Sequence, residues 1–333
     1  MRLPPFQYLS PGTVKEALDM LHAHKGKLCI AAGGTDVVNR LRQRLLTPSY
    51  VMSLKDLPEL QGIKKRKNEL LISAGTSLRE IAEDPDVCAL FSAVALSAGL
   101  VAAPPIRNIA SLGGNILQET RCLFYDQSEL VRKAALPCLK QGGKVCLAQK
   151  GAARCLSVYQ GDLAPALIAF DAKAVLKKAG ASRTVPVLAL FSGKGKQPFT
   201  VEDDELLAQV AIPVPKGRYG ASYEKLRMRK GLDYPFACAA AFVSLSAKGV
   251  IDRARLVVSA VGPAPVLVEE ASAFMVGRTP ADADCEAAAA CAVKSAHAID
   301  NLALPAAYRR KMVKVVARRA INSALGALSG AGA

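Results

Sequence analysis

The 333-residue chain carries 44 Lys and Arg residues against 28 Asp and Glu, a formal net charge of +16, and 51% of its residues are hydrophobic. This length suits about two or three domains. No apolar run reaches the roughly 18–20 residues that span a bilayer, and the N-terminus lacks the apolar core of a signal peptide, so we expect a cytoplasmic protein. The positive charge is spread along the chain rather than gathered in a basic patch with interleaved aromatic residues, which argues against nucleic-acid binding.

The N-terminal part of the chain is predicted to alternate short strands with helices. Thr13 and Glu16 make a capping box, which predicts a helix after an extended opening. The stretches KLCIAA (27–32) and SYVMSL (49–54) are predicted as buried strands. A hairpin-like pair with its turn near 67–68, a helix capped by Ser77 and a helix rich in small residues at 89–103 follow.

The C-terminal half is again predicted to be mixed. A helix and two strands are expected within 164–190, and prolines near 213–217 indicate a boundary. Beyond it we predict a helix of small residues at 235–247, a strand at 254–262 and two C-terminal helices, with a disordered tail at 329–333. The whole is a mixed α/β chain with a self-contained insertion at about 119–159.

Two glycine turns, AAGGTD at 31–36 and SLGGN at 111–115, are candidate anion sites. Glycine lets the backbone approach a ligand closely, and free backbone N–H groups in such turns bind phosphate. A pyrophosphate could be held between the two loops, although each could also be a purely structural turn. Neither loop matches the G-x-G-x-x-G pattern or the P-loop, which argues against ATP and against NAD in this site.

Four cysteines fall in a window of 34 residues, whereas the other five are scattered over the chain. Their spacing, C-x15-C-x7-C-x8-C, lacks the tight C-x-x-C pairs of a zinc ribbon or a bacterial ferredoxin. The window contains no histidine, so any metal in it would be held by thiolates alone, as in a [4Fe–4S] cluster or structural zinc. Four unligated cysteines are the remaining alternative. The residues are Cys122, Cys138, Cys146 and Cys155.

Several motifs together resemble one family. AAGGTDVVNRLR, IRNIASLGGNI and GDLAPALIAFDA are similar to the flavin (medium) subunit of the xanthine dehydrogenase and carbon monoxide dehydrogenase family of molybdenum hydroxylases, and YEKLRMRKGLDYPFACAA resembles the start of its C-terminal domain. The resemblance extends along nearly the whole chain. The cysteine-rich insertion before GDLAP is most similar to that of the 4-hydroxybenzoyl-CoA reductase β-subunit branch.

This resemblance implies an α+β fold. A vanillyl-alcohol-oxidase/p-cresol-methylhydroxylase-type FAD-binding fold of two α/β subdomains is expected at 1–57 and 58–215, the latter carrying the insertion at about 119–159. A C-terminal α+β domain of the CO dehydrogenase flavoprotein type is expected at 216–328.

The resemblance also implies the site. Asp162 is expected near the ribityl chain or the flavin ring, Leu112 is expected to approach the ring, and Asp233 matches a further acidic position of the family. Lys194 stands where many NAD-linked relatives carry tyrosine, which argues against NAD as the electron partner. The FAD pyrophosphate is expected on Ala31, Ala32, Gly33, Gly34, Thr35 and Asp36 of one loop and on Ser111, Gly113, Gly114 and Asn115 of the other.

The implied function is electron transfer, with no catalytic residue on this chain. The branch suggests that the four insertion cysteines ligate a [4Fe–4S] cluster, which takes electrons from ferredoxin and passes them to FAD. Electrons would continue to [2Fe–2S] clusters on a small partner subunit and to a molybdopterin site on a large one, which dehydroxylates 4-hydroxybenzoyl-CoA in a dimer of heterotrimers. The alternatives are the flavin subunit of a hydroxylase or dehydrogenase that oxidises an N-heterocycle, purine or aldehyde, and a zinc-stabilised interaction subunit without flavin.

Overall fold

The computed structural model describes residues 2–229 and 231–330. Of the tail predicted to be disordered, the first two residues continue the last helix and residues 331–333 lie outside the described residues. Within the part of the chain described, no helix combines the length and apolarity that crossing a membrane requires.

The first sheet is small and parallel, with strand order β1-β3-β2. Thr13 caps its first helix by accepting a hydrogen bond from the backbone N–H of Glu16 at 3.1 Å. The Glu16 carboxylate accepts from the N–H of Gly12 rather than from that of Thr13, so only half of the predicted capping box forms. The elements are β1 (Gln7–Leu9), α1 (Val14–Ala23), β2 (Leu28–Ala31), α2 (Val37–Arg42) and β3 (Tyr50–Ser53).

The second sheet has five antiparallel strands in the order β4-β5-β8-β6-β7. Short helices rich in Ala and Leu pack on it and form the largest core of the chain. The strands are β4 (Ile63–Lys65), β5 (Glu69–Ser73), β6 (Lys173–Lys178), β7 (Ala181–Pro186) and β8 (Leu206–Pro213). The helices are α3 (Leu78–Glu83), α4 (Pro85–Leu90), α5 (Ser92–Gly99), α6 (Pro104–Arg107), α7 (Leu112–Ile116), α8 (Glu129–Ala134) in the insertion, and α9 (Leu163–Ala169).

The third sheet has four antiparallel strands in the order β12-β11-β10-β9 and is followed by two helices, of which the second packs on the sheet and the first packs on the second. The fully buried Arg309 fixes the second helix by donating to the carbonyls of Phe236, Ala260 and Ile299. The elements are β9 (Arg218–Leu226), β10 (Ala237–Leu245), β11 (Ile251–Ser259), β12 (Val266–Leu267), α10 (Cys285–Lys294) and α11 (Ala306–Gly330). Short 3₁₀ helices complete the fold at Pro58–Leu60, Leu139–Gln141, Val187–Leu190 and Glu269–Phe274.

The predicted helix at 235–247 is wrong. Residues Ala237–Leu245 form β10, a central strand of which every residue is buried. Helix α11 packs on one face of this sheet, and α5 and α9 pack on the other. Because both faces of the sheet are covered, the sequence of this strand is a continuous run of small apolar residues and lacks the polar–apolar alternation of a half-exposed strand. Hydrophobic periodicity cannot distinguish such a run from a buried helix.

The insertion is mostly irregular apart from α8. Its two ends are held together by backbone hydrogen bonds in both directions between Arg121 and Val158, at 2.7 and 2.8 Å. Arg132 of α8 donates to the carbonyls of Gln43 and Arg44 just after α2. The insertion is therefore anchored to the element that follows the first glycine loop. The domain boundaries at 57/58 and 215/216 remain predictions; each sheet lies within one of the three predicted ranges.

Candidate cofactor site

The first glycine loop connects β2 to α2, and its Gly33 touches the backbone of Ile109, two residues before the second loop. A Cβ atom at Gly33 would lie 1.7 Å from the carbonyl oxygen of Ile109, so no larger residue fits without separating the two loops. Gly34 has a φ of +71°, in the left-handed region that favours glycine. Both glycines are therefore required by the backbone itself.

The second glycine loop forms the start of the short helix α7. Ser111 caps this helix, because its hydroxyl accepts from the N–H of Gly114 at 3.2 Å. Gly113 packs against Ala74, whose carbonyl oxygen would lie 3.1 Å from an added Cβ. The loop is thus held close to the end of β5, facing the first loop.

The two loops line one side of a cavity of about 600 Å³, a volume suited to a large small-molecule ligand. Arg40 and Gln118 also line this cavity, and Arg40 Nε and Gln118 Nε2 are buried without a hydrogen-bond partner. Unpaired buried donors are costly, so these two groups fit an anionic ligand such as a diphosphate. The predicted residues that line the cavity are Ala31, Ala32, Gly33, Gly34, Thr35, Asp36, Ser111, Gly113 and Gly114.

A second cavity of about 360 Å³ adjoins the first. Thr35, Asp36, Gly114 and Gln118 line both of them. The second cavity also contains the predicted residues Asn115 and Asp162, and Asp233 with them. Leu112 is fully buried in the core and lines neither cavity, so its side chain does not face the space in which a flavin ring was expected.

Asp162 is a buried carboxylate with two donors. It accepts hydrogen bonds from Tyr223 Oη at 2.7 Å and from Lys225 Nζ at 3.0 Å. Burial raises the pKa of Asp162 above its usual value, although Lys225 and Tyr223 act in the opposite direction. Lys225 Nζ also donates to the carbonyl of Asp233, while the Asp233 carboxylate accepts from the N–H of Met228. Asp233 therefore holds Met228 and Lys225 in place while lining the second cavity.

Asp36 is not a free carboxylate at the cavity. Its side chain pairs with Arg121 and accepts from the backbone N–H of Glu119 at 3.4 Å. Since Arg121 directly precedes the first cysteine of the insertion, this pair joins the first glycine loop to the insertion. Arg121 compensates the negative charge of Asp36, which reduces the repulsion that this carboxylate would exert on a phosphate in the cavity.

The four insertion cysteines line a single small cavity, and none forms a disulfide. Its other lining residues include Lys140 and Ser157, but no carboxylate and no histidine. Across residues 2–229 and 231–330, no group of three or more His, Cys, Asp or Glu is placed to hold a single metal ion. Four thiolates without a carboxylate or a histidine are a donor set that structural zinc and iron–sulfur clusters both use.

Two family comparisons agree with this geometry. Residues 4–215 match the FAD binding domain in molybdopterin dehydrogenase, and residues 221–324 match the CO dehydrogenase flavoprotein C-terminal domain. The chain belongs to the FAD-binding medium subunits of the molybdenum hydroxylase family. The fold predicted from the resemblance is confirmed, and the matched N-terminal domain is one that binds FAD.

Individual relatives cover nearly the whole chain. The carbon monoxide dehydrogenase medium chain of Afipia carboxidovorans is 28% identical over 96% of this chain and 96% of its own. The nicotinate dehydrogenase FAD-subunit of Eubacterium barkeri is 26% identical over 82% of this chain and 80% of its own. Among solved structures, carbon monoxide dehydrogenase from Hydrogenophaga pseudoflava superimposes with a TM-score of 0.80 at 25% identity, covering 98% of this chain and 99% of that one.

Sequence reasoning missed Arg40, Gln118 and Lys225. Arg40 lies one helical turn beyond the first glycine loop, and Gln118 lies three residues beyond the second, so each could have been found as a polar residue close behind a glycine loop. Lys225 contacts Asp162 from the third sheet, and no local signal in the sequence connects the two.

Proposed function

We propose that this chain is the FAD and [4Fe–4S] electron-transfer subunit of a molybdenum-containing reductase of the 4-hydroxybenzoyl-CoA reductase type. In this role it passes electrons from ferredoxin to the [2Fe–2S] clusters and molybdopterin site of partner subunits. The observation that carries the proposal is the gathering of Cys122, Cys138, Cys146 and Cys155 around one cavity. These cysteines lie in an insertion that is tied to the first FAD loop by the Arg121–Asp36 pair.

The residues that would hold FAD divide between the two cavities. The first glycine loop offers backbone N–H groups to the diphosphate, and Arg40 and Gln118 supply the two unpaired side-chain donors. The second loop contributes shape instead, because the N–H groups of Gly113, Gly114 and Asn115 already donate to Ala74 and Ser111. Asn115 and Asp162 lie in the adjoining cavity, where Lys225 and Tyr223 hold the Asp162 carboxylate in place. A bound flavin exchanges one or two electrons and so connects one-electron carriers to a two-electron reaction. The protein binds and orients it.

The surface of the insertion suits a partner protein. Between residues 119 and 160 four basic side chains are exposed, those of Lys133, Lys144, Lys150 and Arg154, and six large apolar side chains are exposed there as well. Exposed apolar groups among basic residues are typical of a docking surface, and ferredoxins are commonly acidic. We infer that ferredoxin docks on this surface. The six side chains are Leu123, Phe124, Leu130, Val131, Leu136 and Val145.

The assembly follows from the relatives. Two carbon monoxide dehydrogenase relatives and a glyceraldehyde dehydrogenase relative are named as medium chains, which supports a large molybdopterin subunit and a small [2Fe–2S] subunit as partners. We propose a cytoplasmic dimer of heterotrimers.

The second candidate is the FAD subunit of a hydroxylase or dehydrogenase. The relatives are named for nicotinate, xanthine, caffeine and glyceraldehyde dehydrogenases, which favours oxidation of an N-heterocycle, purine or aldehyde. In that case electrons would leave through this chain instead of entering.

Anaerobic purification of the chain with its partner subunits separates these candidates. We expect flavin absorption bands and, in the chain alone, about four iron atoms with equivalent sulfide. The complex should oxidise reduced ferredoxin only when 4-hydroxybenzoyl-CoA is present. A chain with flavin but no iron, in a complex that oxidises a purine or N-heterocycle, supports the second candidate. A chain with zinc and no flavin would refute both.

A further inference from the structure

A lysine of the insertion is buried beside the cysteine cavity. The side chain of Lys140 is 4% exposed, and its ammonium donates to Glu119 Oε1 at 2.9 Å, to Thr120 Oγ1 at 2.5 Å and to Ser157 Oγ at 3.3 Å. Ser157 Oγ in turn lies 3.3 Å from the thiol of Cys155. Burying an ammonium group is costly unless it is fully paired. Its three acceptors meet this requirement, so the charge of Lys140 is held at a fixed position beside the cysteine cavity.

Glu119 connects Lys140 to the flavin cavity. While Oε1 accepts from Lys140, Oε2 accepts from Arg40 Nη2 at 3.2 Å. Arg40 lines the flavin cavity, and its Nε is buried there without a partner. The three side chains thus run from the cysteine cavity to the flavin cavity. We call Lys140, Glu119 and Arg40 the charge bridge.

The charge bridge carries two cations and one anion, so its net charge is positive. Burial alone raises the pKa of Glu119, but Lys140 and Arg40 overcome this effect and hold the pKa below its usual value. Glu119 therefore stays ionised and keeps both cations in place. The positive charge of the bridge stabilises anionic groups in both cavities. These groups would be phosphates in the flavin cavity and thiolates with their bound metal in the cysteine cavity.

We propose that Lys140 is a positioning residue that acts on both cavities through the charge bridge. At the flavin cavity it shares the Glu119 carboxylate, which leaves Arg40 oriented toward the diphosphate. At the cysteine cavity its fixed charge stabilises the more negative, reduced form of the centre. This inference rests on the proposed function, because it assumes that one cavity binds FAD and the other an iron–sulfur cluster.

Removal of the lysine charge should change both sites in defined directions. In Lys140→Met, Glu119 keeps Arg40 as its one cationic partner, and the net charge of the bridge falls to zero. The carboxylate then pulls Arg40 away from the diphosphate, so FAD should bind about 5- to 10-fold more weakly, within the usual range for coupled sites. The reduction potential of the cluster should shift to lower values, because reduction adds a negative charge that the missing ammonium group no longer offsets.

The experiment uses the full chain, purified anaerobically with its cluster and then deflavinated. FAD affinity is measured by quenching of flavin fluorescence, and the cluster potential by a spectroscopic redox titration. Lys140→Arg, which keeps the charge, should restore both values close to those of the wild type. Lys133→Met removes a lysine of the same insertion whose side chain is 73% exposed, and should leave both unchanged.

A double-mutant cycle with Arg40→Met separates the bridge from general damage to the fold. If Lys140 acts on FAD through Arg40, adding Lys140→Met to Arg40→Met should cause little further loss of affinity. Additive losses, or unchanged affinity and potential in Lys140→Met, would overturn the inference while leaving the proposed function intact. A wild-type chain that binds neither iron nor FAD would overturn the proposed function and this inference with it.

Discussion

A methyl group at Gly33 is expected to separate the two glycine loops and weaken FAD binding. In Gly33→Ala the new Cβ would lie 1.7 Å from the carbonyl oxygen of Ile109 and 2.5 Å from its carbonyl carbon. An ordinary non-bonded contact is about 3.5 Å, so the loops would have to move apart by more than an ångström. The obstacle is backbone, which cannot rotate away as a flexible side chain would.

The expected magnitude follows from overpacking in a close-packed site, which costs about 1–3 kcal/mol. The melting temperature should fall by about 2–4 °C for each kcal/mol in a domain of this size. Each 1.4 kcal/mol lost from the bound state also weakens the affinity about tenfold, so a loss of this size corresponds to about 5- to 150-fold weaker FAD binding. Fluorescence titration of the deflavinated chain and calorimetry of the unliganded chain measure the two effects.

Gly12→Ala is the matched control for this substitution. Gly12 is exposed, and an added Cβ would meet nothing closer than 3.6 Å, at the end of the flexible Glu16 side chain. It should bind FAD as the wild type does. If Gly33→Ala also kept wild-type affinity and melting temperature, the close contact between the two loops could not be what shapes the FAD site.

Three further outcomes are expected. Cys138→Ser should lose most of its iron and sulfide. Cys88 is exposed and lies outside the cysteine cavity, so Cys88→Ser should keep both. Equal iron content in the two variants, measured by metal analysis, would refute the ligand assignment. Asp162→Asn leaves the Lys225 ammonium buried without its counter-ion, so urea unfolding should show that the free energy of unfolding falls by about 3–5 kcal/mol. Adding Lys225→Met should restore part of this loss. An Asp162→Asn variant as stable as the wild type would contradict the prediction. Because the pKa of Glu119 is held below its ordinary value of 4.5, its contribution to stability is present above about pH 4.5 and is lost as the pH falls through the folded pKa. When the pH is lowered from roughly 6 to 3, the free energy of unfolding of Glu119→Gln should therefore fall by less than that of the wild type. Parallel curves of unfolding free energy against pH for the two proteins would rule this contribution out.

The glycine loops were predictable because their constraint is local. Gly33 and Gly34 are required by backbone contacts and a positive φ within a few residues of a strand end, and such requirements leave their mark in the sequence itself. The strand at Ala237–Leu245 was not predictable in the same way. Its small apolar residues fit a helix and a doubly covered strand equally well, and only packing against β9, β11 and α11 decides between them.

By itself, the sequence determined the positions of the two glycine loops, the cysteine set of the insertion and, through motifs in order, the family. Tertiary structure alone decided the electrostatics of the site. Asp36 and Arg121 lie 85 residues apart, and Lys225 and Asp162 lie 63 apart. The charge bridge joins residues separated by 79 and 21 positions. The strength of an ion pair depends on the distance between the two charges and on their burial. Neither quantity can be predicted from the sequence, because both are set only when distant segments of the chain fold onto one another.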